Sequence, residues 1–145
     1  MYTVDASVWV NAFDRREPGP EVSRQLLDAL GAQVIPIVVP HLVLAEVAGA
    51  ISRTRRNPAL AEAFATQLSR LPNVALKILD EALARQAMEL AAQHALRGAD
   101  AVYAAVAVQA GCTLISLDSE HLTRLVNFLP VRTPAMALAE LSPTT

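Results

Sequence analysis

The sequence predicts a three-layer α/β/α fold, with a mostly parallel central sheet of four to five strands flanked by helices. Two observations lead there. Short β-branched runs alternate along the chain with longer segments of helical periodicity, and strands separated by helices pair in parallel with both faces covered. The 145 residues are 53% hydrophobic and only 18% charged, which suits one well-filled core and argues against disorder. No repeat, linker or composition break divides the chain, so residues 1–145 are expected to form one domain.

Each element has a local cause. Residues 2–5 read as the first strand, and Ser7 as the cap of a short helix running to about Asp14. REPGPE reads as a loop, followed by an amphipathic helix from about Pro20 to Leu30. VIPIVVP, ending at Pro40, is the second strand. HLVLAEVAGAISRTRR is helical by length and ends at Asn57-Pro58, because the residue before proline avoids the helical region. A further helix covers about residues 59–70. VALKIL is the third strand, and Asp80 caps the helix DEALARQAMELAAQHAL. Residues 98–110 form a helix that is apolar all round, closed by Gly111. CTLISL is the fourth strand and SEHLTRLV a short helix. A weak fifth strand near 129–132 precedes a last helix begun by Pro134.

Composition excludes several classes of protein. The net charge of −2 offers no global basic field, although eleven of the twelve cations are Arg, with Lys77 the exception. Arginine forks suit phosphate, but an arginine-rich coding bias produces the same count. Apolar stretches break before membrane-spanning length, and the N-terminus lacks a secretory pattern. The single Cys112 allows neither an internal disulfide nor a zinc site. Cytoplasmic residence is the expectation.

The informative acids are the solitary ones. Ten of the fourteen Asp and Glu residues lie in polar or mixed surroundings. Asp5 is the lone charge among residues 1–13, and Glu46 the lone charge between Ile35 and Ser52. Asp100 is alone from Gly98 to Leu117, and Asp118 ends the apolar run TLISL. Single explanations exist: a helix dipole for Asp100, a helix cap for Asp118, solvent or an Arg partner for Glu46. Asp5 is hardest to excuse, because its neighbours look buried on both faces. If the first and fourth strands are neighbours, Asp5 and Asp118 converge at one crevice beyond the strand ends, where such sheets bind ligands. Four carboxylates there require a counter-ion. Mg²⁺ or Mn²⁺ suits oxygen donors and implies metal-assisted phosphodiester hydrolysis.

The segments YTVDASVWV, HLVLAEVAGAI, LRGADAVYAAVA and TLISLDSEHL, in this order and spacing, resemble the PIN-domain family. The likeness is greatest to the small VapC-type toxin ribonucleases of bacterial toxin–antitoxin pairs. It implies that Asp5, Glu46, Asp100 and Asp118 form the acidic cluster. Asp5 and Asp100 would be metal ligands, Asp118 a ligand directly or through water, and Glu46 a ligand or the residue orienting the attacking water. Ser7 and Ser116 match positions of small hydroxyl residues near the site, and each also suits local capping or strand pairing. The resemblance further implies single-stranded or looped RNA as substrate, a homodimer, and a cognate antitoxin protein. SEHLTRL is less typical of the family and leaves the roles of Glu120 and His121 open.

Arg53, Arg55 and Arg56 lie about 10–15 Å beyond Glu46 along the helix axis at 1.5 Å per residue, a reach that suits flanking phosphates or an acidic antitoxin. A solvated, dipole-favoured helix end explains them equally well. Trp9 and Tyr103 read as core rather than stacking platforms. His41, His94 and His121 lack zinc-ligand spacing, and His121 is a poor candidate proton donor. A phosphatase with an Asp nucleophile would want a second acid where Ser7 stands. A catalytically silent module of the same fold would not need four intact acids. The mean hydropathy of +0.34 also leaves room for an apolar partner surface.

Overall fold

In the computed structural model, which describes residues 1–14 and 19–141, five parallel strands form one sheet flanked by eight helices. The strands are β1 Tyr2–Val4, β2 Ile37–Pro40, β3 Val74–Lys77, β4 Thr113–Ile115 and β5 Val131–Arg132. The helices are α1 Ala6–Phe13, α2 Pro20–Ala32, α3 Leu42–Arg55, α4 Pro58–Ser69, α5 Glu81–His94, α6 Gly98–Ala110, α7 Ser119–Arg124 and α8 Pro134–Leu141. This is the α/β/α arrangement that the alternating periodicities predict. Residues 16–18 of the expected REPGPE loop lie outside the described residues.

The strand order is β3-β2-β1-β4-β5, so the chain winds outward from β1 in one direction and then returns to wind in the other. Tyr2, Thr3 and Val4 register with Thr113, Leu114 and Ile115. Both Thr3 and Val4 are fully buried although they face opposite sides, so helices cover both faces of β1. α6 packs across β1, β2 and β4, and every residue from Asp100 to Ala107 is buried, as its apolar circumference requires.

The strands are shorter than their apolar runs, for identifiable reasons. Val34 takes a left-handed φ of 51°, and the amides of Val34 and Ile35 bond back to Gly31 and Leu30. Those residues therefore close α2 instead of opening β2. β4 ends at Ile115: Ser116 N–H makes a last backbone bond to Arg132 O, and the amides beyond turn to side chains, Leu117 N–H donating to Ser7 Oγ at 3.1 Å and Asp118 N–H to Ser116 Oγ at 3.0 Å. β3 is an edge strand whose Lys77 blunts further pairing. Asp80 caps α5 through Leu83 N–H at 2.8 Å, and Gly111 ends α6 at a left-handed φ of 60°. Ser7 is not a cap. Asp5 lies just after β1 and its own carboxylate caps α1, accepting from Ser7 N–H at 3.1 Å. Among the described residues, no helix is long and apolar enough to cross a membrane.

Candidate active site

The sheet order reverses between β1 and β4, and their carboxyl ends open a crevice at that switch point. Asp5 follows β1 directly, its N–H held by Ile115 O at 2.9 Å. Asp118 follows β4 and caps α7, its Oδ1 accepting from Glu120 N–H at 2.8 Å. Asp100 stands in the first turn of α6, and Glu46 in the second turn of α3. With Ser7 and Arg97, these acids line one cleft of about 290 Å³. The four carboxylates singled out in the sequence therefore share a single hollow. Ser116 is fully buried behind them, its Oγ 3.4 Å from Asp5 Oδ2.

Protein donors hold one oxygen of three of these acids and leave the other open. Asp5 Oδ2 takes Ser7 N–H, Asp100 Oδ2 accepts from Arg97 Nε at 2.9 Å, and Glu46 Oε2 accepts from the Tyr103 hydroxyl at 2.6 Å. No hydrogen bond from the described residues reaches Asp5 Oδ1, Asp100 Oδ1 or Glu46 Oε1. Asp118 differs, because its second oxygen accepts from Arg97 Nη2 at 2.6 Å. Oxygen-only donors converging with spare lone pairs fit a hard divalent cation.

Burial raises the pKa of Glu46 above the ordinary carboxylate value; the Tyr103 hydrogen bond opposes this, and the nearby Asp5 and Asp100 charges add to it. Burial, then the Glu46 charge, pushes the Tyr103 phenol far up, so it stays a donor. One guanidinium, Arg97, faces four carboxyl groups.

Three residues complete the site beyond those the sequence marks. Arg97 precedes Asp100 by three positions, a helical ion-pair spacing that is legible, but its bond to Asp118 spans 21 residues and is not. Tyr103 is core, as predicted, yet its hydroxyl reaches Glu46. His121 is fully buried with both ring nitrogens engaged: Nε2 lies 3.0 Å from Asp100 O and Nδ1 3.0 Å from Ser116 Oγ. A carbonyl only accepts, so Nε2 carries the hydrogen and Nδ1 accepts the Ser116 proton. Ligand atoms of Asp5, Asp100 and His121 lie within 4.8 Å of one another. With Nδ1 committed to Ser116, however, His121 braces the carboxylates and is not a free ligand.

The Arg53, Arg55 and Arg56 trio divides. Arg53 lines a hollow beside Glu46. Arg55 bonds Asp14 Oδ1 at 3.1 Å and lies 5.6 Å from the Phe13 ring centre, so it ties α3 to the end of α1. Arg56 is the left-handed cap that ends α3.

A parallel α/β sheet with a carboxylate-lined, metal-compatible cleft at its switch point belongs to the class of α/β folds that bind ligands beyond the strand ends. The family model of the PIN domain matches residues 2–126, and the chain belongs to that family. Among curated proteins no sequence match is found. Solved structures share the fold. VapC20 of Mycobacterium tuberculosis, a sarcin–ricin loop cleaving toxin, is 18% identical with a TM-score of 0.72, over 89% of this chain and 96% of its own. A toxin–antitoxin complex from Klebsiella pneumoniae gives 18% and 0.68, over 92% and 98%. PAE2754 from Pyrobaculum aerophilum gives 22% and 0.69, over 97% and 93%.

Proposed function

We propose that this chain is a metal-dependent endoribonuclease, the toxin of a toxin–antitoxin pair, with Asp5, Glu46, Asp100 and Asp118 as its catalytic acids. The observation that carries the proposal is the convergence of these four acids in one cleft, three of them each with an open oxygen. The chemistry that Mg²⁺ or Mn²⁺ supplies at such a site is charge neutralisation, polarisation of a phosphodiester and a lowered water pKa. Asp5 Oδ1 and Asp100 Oδ1 would hold the cation. Asp118 would act through water, since both of its oxygens already accept hydrogen bonds. Glu46 Oε1 takes the proton of the attacking water while the Tyr103 hydroxyl fixes Oε2. Ser7 steadies Asp5 by donating its N–H to Oδ2, and Ser116 supports the cluster from behind, giving its one hydroxyl proton to His121 Nδ1.

Membership of the PIN family and the fold shared with toxins and toxin–antitoxin complexes support a cognate antitoxin as partner. A cytoplasmic homodimer acting on RNA completes the proposal, its RNA substrate supported by the fold shared with a sarcin–ricin loop cleaving toxin. One observation favours a silent module: Arg97 already neutralises part of the cluster. It leaves Asp5 and Glu46 uncompensated, which a module without a cation has no reason to keep.

The purified protein is expected to cut RNA with Mg²⁺ or Mn²⁺ and to stop with chelator. Asp5→Asn should remain folded, because Asn caps a helix as well as Asp does, and should lose cutting by at least about 100-fold. Wild-type cutting rates in Asp5→Asn would refute the assignment.

A further inference from the structure

The acid cleft is the middle of a longer groove. It shares Ala6, Ser7 and Glu46 with the hollow that Arg53 lines, and Arg97 and Asp118 with a third hollow on the other side. The three run together as one channel, with Arg53 toward one end and Arg97 toward the other.

The two arginines are presented differently, and both have donors to spare. Arg53 makes no hydrogen bond or ion pair with any described residue. Its guanidinium folds back along α3 over Gly49, where an added methyl group would sit 3.1 Å from Nη1. Helical side chains lean toward the N-terminus, so this fold-back carries the cation from the helix end toward Glu46. Gly49 is the gap that permits it. Arg97 is instead held from behind: Nε and Nη2 are bound by Asp100 and Asp118, and Nη1 bonds none of the described residues. Its side chain is 67% exposed, a fixed fork with an outward donor at the cleft mouth.

We propose that Arg53 and Arg97 clamp two phosphates of one single-stranded RNA, on either side of the phosphate presented to the four acids. The proposal rests on the ribonuclease reading and adds the path of the strand. The channel is cationic at two points and anionic between them, and that middle becomes attractive to an anion only through a bound cation. A phosphodiester chain carries a charge on every unit, so it meets both arginines and the central cation at once. Arg55 and Arg56 are outside the clamp, the first spent on Asp14 and the second beyond the groove.

The test is the salt dependence of RNA binding in the Glu46→Gln background at fixed Mg²⁺, which removes the proton acceptor and keeps the Asp5 and Asp100 oxygens, read by anisotropy of a short fluorescein-labelled single-stranded RNA of mixed sequence. Each phosphate that no longer meets an arginine should flatten the slope of log K against log salt by about 0.7. Arg53→Gln and Arg97→Gln are each expected to do so, their combination by about 1.4, and Arg97→Lys to keep the parental slope because the charge remains. Arg56→Gln should also keep it. An unchanged slope in either single Gln variant overturns the clamp, as does a loss confined to the intercept, which would make Arg97 only a counter-ion of the acids. Melting curves of each variant verify the fold. The two readings fail separately: wild type that cuts RNA while the Gln variants keep the parental slope loses only the clamp. Wild type that cuts no RNA with Mg²⁺ or Mn²⁺ loses the nuclease itself.

Discussion

Glu46 shows how one side chain holds stability and chemistry in opposition. Its pKa is raised, mainly by burial and further by Asp5 and Asp100. A raised acid holds its proton more tightly in the folded chain than in the unfolded one, so ionised Glu46 weakens the fold above the ordinary value of 4.5, and the cost vanishes below it. Glu46→Gln keeps an oxygen for the Tyr103 hydroxyl. It should stabilise the cation-free protein near neutral pH by less than about 1 kcal/mol, the effect being screened by solvent at this half-open position. Denaturant titrations near neutrality and below pH 4.5 check this, the gain disappearing in the second. His121 is the opposite case, a residue whose whole role is support. His121→Phe keeps a ring but removes the bonds to Asp100 O and the Ser116 hydroxyl, which retain only the α6 ladder and the Asp118 amide, and should cost about 1–3 kcal/mol in urea unfolding. Mn²⁺ affinity, measured by calorimetry, should fall about 10-fold as the brace behind Asp5 and Asp100 is lost. The sequence marks the four acids because a lone charge in an apolar run is conspicuous. His121 sits in the polar stretch SEHLTRL, where nothing announces a buried ring.

At the scale of elements, α3 combines two jobs within a few residues. Its first turns bring Glu46 to the cleft, and its last turn sends Arg55 to Asp14 and Phe13 while Arg53 lies over Gly49. Gly in a helix interior costs about 0.5–1 kcal/mol relative to Ala. Gly49→Ala should therefore raise the melting temperature, since the exposed end of Arg53 can move aside. The same change should weaken RNA binding, because the guanidinium loses its resting place. A rise in both would separate Gly49 from the clamp. Caps and breakers were legible at this scale: Asp80, Gly111 and Asn57-Pro58 act locally, within one helical turn. The capping of α1 was not. Asp5 and Ser7 are both cap residues by type, and only the Leu117 amide, 110 residues away, takes the Ser7 hydroxyl and leaves the cap to Asp5.

For the whole molecule, the cleft joins β1, β4, α3, α6 and the start of α7, so a cation bound there ties together elements from across the chain. Mn²⁺ at about 100 times its Kd should stabilise the fold by about 2.7 kcal/mol and raise the melting temperature by several degrees. Asp5→Asn should remove most of that rise, and an unaltered rise would place the binding elsewhere. The sequence by itself determined the alternation of strands and helices, the buried character of α6 and the identity of the four solitary acids. These are properties of periodicity and of local charge contrast, and neighbours along the chain carry them. Only the tertiary structure decided that β4 lies beside β1, that Arg97 spans Asp100 and Asp118, that His121 is buried, and that Arg55 turns away to Asp14. Those pairings join residues 21 or more positions apart or depend on packing around them, except the i,i+3 bond of Arg97 to Asp100. A long charged or polar side chain reaches several partners equally well until the sheet order fixes which of them stands within hydrogen-bonding distance.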